Sequence, residues 1–198
     1  MPDSRLFSRA DCWEIKFSMK FIPTSIPGVL VIEPQVFKDS RGFFMESYRK
    51  SEFVQNGILA DFIQDNHSAS SKGVLRGLHF QISPMDQAKL VRVIKGEVFD
   101  VVVDIRRGSA TFGKSFCLIL TADKKEMLYI PSGFAHGFLT LSDGAEFIYK
   151  VSREYSPSHE KGIRWDDPDL GIPWPKLERP YIFSDKDKKF PTLKELKF

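Results

Sequence analysis

Short apolar runs cut at regular intervals by turn residues leave this chain few folds to choose from. Lys89–Lys95, Glu97–Ile105, Lys114–Thr121, Glu126–Ile130, His136–Leu141 and Ala145–Val151 are each too short for a typical helix, and Gly96, Gly108, Gly113, Asp123, Gly133 and Gly144 separate them. Val29–Glu33, Gly42–Tyr48, Asp61–His67 and the stretch around His79 continue the pattern upstream. Spacing of this kind predicts an all-β sandwich or barrel. Eighteen Phe beside twelve Pro and thirteen Gly point the same way, to an aromatic core with many turns. Ser51–Gly57 is the best helix candidate in the first half, with Ser51 as N-cap and Gly57 as stop. At 198 residues and 42% hydrophobic content we expect one domain, residues 19–198, preceded by a peripheral extension, residues 1–18, that folding does not need. The Pro-rich end beyond Pro157 carries Trp165, Trp174, Tyr181 and Phe183, so it is expected to pack over the barrel.

The net charge of +3 suits a small anionic ligand and lacks the concentrated basic stripe of a nucleic-acid binder. No run approaches the roughly 18 apolar residues of a membrane span. Residues 1–20 are broken by Asp3, Arg5, Arg9, Asp11, Glu14 and Lys16, which leaves no signal-peptide core. Cys12 and Cys117 sit in unlike contexts, so a reducing cytoplasm is the default compartment.

Gly73-Val-Leu-Arg-Gly-Leu-His-Phe-Gln81 places Arg76, His79 and Gln81 in what reads as buried sheet, and Lys89 opens the next strand. Strands seldom carry such groups unless they line a cavity or pair with one another. Arg76 and His79 would point to opposite faces of a regular strand, so a shared ligand requires a bend or bulge at Gly77. Asp100 and Asp104 bracket an apolar stretch; about 13 Å apart at the usual rise, they are assigned to turn and rim roles rather than to an acid pair.

Gly73 to His79 gives a G-x5-H opening, and Pro131-Ser-Gly-Phe-Ala-His136 a P-x-G-x2-H closing, both typical of cupins. A metal cupin has a second His where this chain has Gln81, and Lys89 downstream would repel a cation, so metal-free acid–base chemistry is the sharper reading. The motifs Asp39–Glu46, Gln64–Ser68, Gly73–Gln81, Lys89–Val93, Val98–Arg106, Ile130–Phe138 and Gly162–Pro168, in this order, resemble the dTDP-4-dehydrorhamnose 3,5-epimerase family, a likeness running from about Ile22 to Leu193.

The resemblance implies a cupin-type jelly roll with a few short peripheral helices. It implies a homodimer whose sites draw on both subunits, a dTDP-sugar substrate, and neither metal nor organic cofactor. His79 would be the base, Asp187 its dyad partner, Lys89 the stabiliser of the enolate and Tyr149 the proton donor from the opposite face. Arg41, Glu46, Gln64, Asn66, Arg76, His136, Glu160 and Lys186 would bind the substrate. The platform for the thymine is left between Tyr155 and a partner's Phe43 or Phe44, because Glu154 stands where many relatives have Tyr. His67 and His159 are assigned to structural hydrogen bonding and a surface loop. Three rival readings stay open: a relative that inverts one centre or moves the keto group, a non-catalytic sugar-nucleotide binder, and a metal-dependent cupin oxygenase.

Overall fold

Alternation of side chains along each strand decides how the sheets stack. In the computed structural model, which describes residues 18–196, thirteen strands are formed among the described residues. They are β1 Met19–Pro23, β2 Leu30–Pro34, β3 Val36–Asp39, β4 Gly42–Met45, β5 Gln64–Ser71, β6 Leu75–Gln81 and β7 Lys89–Lys95, then β8 Glu97–Asp104, β9 Ser115–Thr121, β10 Met127–Ile130, β11 Phe134–Thr140, β12 Gly144–Val151 and β13 Glu160–Gly162. Six form one antiparallel sheet in the order β1-β2-β10-β7-β12-β5, and five form a second, β13-β6-β11-β8-β9. The hairpin β3–β4 stands apart as a two-stranded sheet. The expected extension, and Cys12 with it, lies outside the described residues except for Ser18.

The inter-sheet core takes one face of each strand: Val91 and Val93 from β7, Val98 and Val102 from β8, Phe134 and Phe138 from β11, Ala145 and Phe147 from β12. The opposite face of the five-stranded sheet, with Leu78, Phe80, Val101 and Val103, is covered by Ile163, Leu170, Trp174, Leu193 and Leu196. The aromatic C-terminal stretch therefore packs where the sequence suggested, burying a second apolar layer. A third cluster on the outside of the six-stranded sheet seats Phe53 and Ile58 against Ile32, Leu90 and Met127.

The helix α1 runs Lys50–Gln55 and begins two residues earlier than expected, since its N-cap is Arg49 rather than Ser51. Arg49 makes no side-chain cap bond; its guanidinium instead pairs with Glu46 and Glu52. Phe53 holds the helix to the barrel through edge-on contacts with Phe21 and Tyr48.

The rim role expected for Asp100 and Asp104 is corrected by their burial, since both are fully enclosed. Asp104 does serve a turn. It accepts hydrogen bonds from Arg106 Nη2 at 2.7 Å and from the hydroxyls of Ser109 and Thr111, each at 2.6 Å. Asp100 has a different partner, described below.

Candidate active site

β6 is interrupted at Gly77, and the interruption shapes the cavity. His136 on β11 faces His79, yet two residues further Phe138 faces Arg76, three residues back, so β6 carries one extra residue. Gly77 has φ +128°, and a Cβ there would meet Gly137 Cα at 2.5 Å. Only glycine fits this close approach of two backbones. The bulge turns Arg76 toward the same cavity as His79, where its guanidinium is braced on Ser70 Oγ at 3.0 Å and on the Ala69 carbonyl.

The cavity, about 370 Å³, opens between the two sheets at one end of the sandwich. The five-stranded sheet contributes Arg76, His79, His136 and Glu160; the six-stranded sheet contributes Gln64, Asn66, Lys89 and Tyr149. Tyr155 and Lys186 close the mouth. Nine of the expected residues thus converge on one space, and Asp187 stands directly behind His79.

His79 Nε2 lies 2.6 Å from Asp187 Oδ1, a carboxylate carried 108 positions along the chain by the short 3-10 turn Asp187–Lys189. Burial alone would raise the Asp187 pKa, but the bond and charge of His79, with Ser184 and Lys186, together outweigh it and hold the carboxyl below the ordinary range. Phe190 packs edge-on against the imidazole at 5.5 Å, and Gly162 leaves room for that ring, since a Cβ there would come within 2.4 Å of it. With Nε2–H committed to Asp187, Nδ1 keeps the lone pair of a base.

Lys89 is half-buried and its Nζ donates to the His79 carbonyl at 3.4 Å. Desolvation brings its pKa down to about 8, against the upward pull of Asp100 and Glu160. The Tyr149 hydroxyl is raised by burial, so it is protonated at neutral pH. At the mouth, Glu160 accepts from Lys186 Nζ at 2.7 Å and from Tyr155 Oη at 2.8 Å. Burial would raise its pKa, but these two bonds bring it below the ordinary value.

Two expected ligand residues lie elsewhere. Arg41, at the tip of β3–β4, is largely exposed and pairs with Asp39; Glu46 pairs with Arg49. Neither lines the cavity of its own chain. Gln81 does not line it either: its side chain ties the Met85 and Glu154 carbonyls and the Ser156 N–H together. Sequence reasoning missed Asp100, whose carboxylate sits 3.0 Å from His136 Nε2. Its signal was parity, because Asp100 shares a strand face with the core residues Val98 and Val102. Among the described residues no group of three or more His, Cys, Asp and Glu is placed to hold a metal ion.

A family model for dTDP-4-dehydrorhamnose 3,5-epimerase matches residues 23–195. The chain belongs to the dTDP-4-dehydrorhamnose 3,5-epimerase family. It is 55% identical over 170 residues to the dTDP-4-dehydrorhamnose 3,5-epimerase of Shigella flexneri, covering 85% of this chain and 93% of the relative. Among solved structures in and around this epimerase family, the Legionella pneumophila enzyme in complex with dTDP-4-keto-L-rhamnose superposes with a TM-score of 0.88 at 46% identity, covering 91% of this chain and 95% of that one. A 3′-monoepimerase from Streptomyces bikiniensis in complex with dTDP-quinovose gives 0.82 at 38% identity, covering 87% of each chain. The two antiparallel sheets are those of the family's cupin fold.

Proposed function

We propose that this cavity carries out the 3,5-epimerisation of dTDP-4-dehydro-6-deoxy-D-glucose to dTDP-4-dehydro-L-rhamnose by proton removal and return. The C–H bonds at C3 and C5 are acidic because loss of either proton gives an enolate conjugated with the C4 carbonyl. His79 Nδ1 takes the proton, and the Asp187 carboxylate stabilises the imidazolium. The Lys89 ammonium faces the C4 oxygen, where negative charge develops, and costs no reorganisation at that moment. Tyr149 returns a proton from the other side. The single observation that carries this reading is the placement of His79 and Tyr149 on the two facing sheets, so that a ring between them is met on both faces. Solvent exchange then resets both groups for the second centre.

Arg76 and Lys186 suit the diphosphate through charge-assisted bonds. Gln64, Asn66, His136 and Glu160 offer polar edges to sugar and base, and Tyr155 at the mouth offers a ring to the thymine. We also infer a homodimer in which the β3–β4 hairpin of one copy completes the other's cavity. Support comes from the stranded position of Arg41 and Glu46 and from the hairpin itself, which projects Phe43 and Phe44 at 56% and 60% exposure beside the exposed Ile94. No helix among the described residues is long and apolar enough to cross a membrane. A cytoplasmic setting is supported by the free thiol of Cys117 and by the nucleotide-linked substrate.

The test is incubation of the 4-keto sugar nucleotide in D2O. Deuterium should enter at both C3 and C5, and entry at one carbon alone would make this a single-centre epimerase. His79→Ala should abolish exchange, whereas Tyr149→Phe should retain exchange better than inversion. Equal loss of both in the Tyr149 variant would remove the donor role.

A further inference from the structure

Asp100 is a fully buried carboxylate in the inter-sheet core, between Val98 and Val102 on the inward face of β8. Its one hydrogen-bond partner among the described residues is His136 Nε2, which lies 3.1 and 3.0 Å from its two oxygens. One shared N–H is thin compensation for an enclosed charge, and such a group is costly unless a cation lies within its field. A cation shares the cavity lining with His136: Lys89, whose ammonium Asp100 supports more strongly than Glu160 does.

The imidazole of His136 is itself buried, stacks on Phe147 at 6.1 Å, and lies beside His79 in the β6–β11 register. Desolvation keeps His136 neutral against the pull of Asp100. With Nε2–H given to Asp100, Nδ1 is left as an acceptor.

We propose that Asp100 is a counter-ion shared by His136 and Lys89, a positioning residue that fixes the His136 tautomer and holds in place the positive charge the enolate oxygen meets. The inference rests on the proposed role of Lys89 and extends it one step beneath the cavity. The charge on Lys89 then depends on a group that never touches substrate. Other titratable or charged groups facing Lys89 are His79 and Arg76 on β6, His136 on β11, Tyr149 on β12 and Glu160 on β13. Lys186 at the mouth is held by Glu160.

Asp100→Asn keeps the shape and an acceptor for Nε2–H but removes the charge. A counter-ion in this position is worth about one pKa unit or more, so the alkaline limb of kcat/KM should move down by about one pH unit. Exchange at pH 8 should then fall about fivefold, with exchange at pH 6 changed less than about twofold. In a Lys89→Arg background, where the cation does not titrate, the same substitution should leave the limb unmoved. A uniform loss at every pH, equal in both backgrounds, would mean that Asp100 only supports the fold and would overturn the proposal. A wild-type enzyme with no alkaline limb near 8 would instead strike at the role of Lys89. Histidine 15N NMR of the unsubstituted enzyme tests the tautomer without any variant: His136 should be neutral with the proton on Nε2 between pH 6 and 8, and an Nδ1–H tautomer would overturn the assignment.

Discussion

At the scale of single residues, two of the cations that line the cavity differ in character. Arg76 presents a planar fork braced by Ser70, the geometry the proposed diphosphate contact needs. Lys89 is brought down to about 8 by desolvation, which makes it the group whose loss of charge limits the alkaline side. Because kcat/KM reports the free enzyme, a fall through pH 8 is expected from ammonium becoming amine. Tyr149 cannot be the source, since burial moves its ionisation further up. Lys89→Arg, with a guanidinium that stays charged to about pH 12, should lower the rate through altered geometry while shifting the alkaline limb upward by more than about one unit. A limb that stays in place in a kcat/KM profile would assign it to another group. Much of this site was readable from types and order: His79, Lys89 and Tyr149 stand where the motif resemblance put them, all on one cavity. Asp100 was not, because its spacing from Asp104 reads as two strand ends and masks that its own face of β8 is core.

At the scale of elements, the break in β6 does what regular pleating could not. Gly77→Ala should cost about 2–4 kcal/mol, because a Cβ at φ +128° meets the Gly137 backbone. Urea unfolding would measure it, and an unchanged midpoint would show that the strands can separate without loss. The turn after β8 carries a second expectation. Burial would raise the Asp104 pKa, but bonds from Arg106, Ser109 and Thr111 outweigh it and place it far below the ordinary carboxylate value. A depressed folded value contributes stability above the unfolded pKa of about 4, and that contribution is lost as pH falls further. Asp104→Asn should therefore lower the urea midpoint at pH 7 and flatten its decline below pH 4, and parallel curves for the two proteins would discount the turn. The strands were legible from punctuation by glycine, whereas β1, β3 and β13 were not. β13 is only three residues long and is defined by pairing with β6 rather than by its own composition.

At the scale of the whole molecule, the hairpin β3–β4 stands apart from both larger sheets and leaves two aromatic rings exposed. Phe43 and Phe44 lie against Lys125, Ile94 and Ala122 at the edge of the six-stranded sheet, with Arg41 at the tip. Phe43→Ser combined with Phe44→Ser should halve the mass seen by sedimentation velocity and remove most activity, while far-ultraviolet circular dichroism stays that of a β-sandwich. An unchanged mass would detach the hairpin from assembly. That Arg41 lies away from the cavity of its own chain was not visible in the motif pattern, because sequence order does not say which cavity a loop reaches.

Asp187 follows both sheets in chain order, and that order has a consequence for biosynthesis. Synthesis begins at the amino end, so both sheets, the imidazole and the phenol emerge from the ribosome before the carboxylate that orients the imidazole. A nascent barrel can close before the His79–Asp187 contact exists, and that pair forms only when the segment after β13 docks.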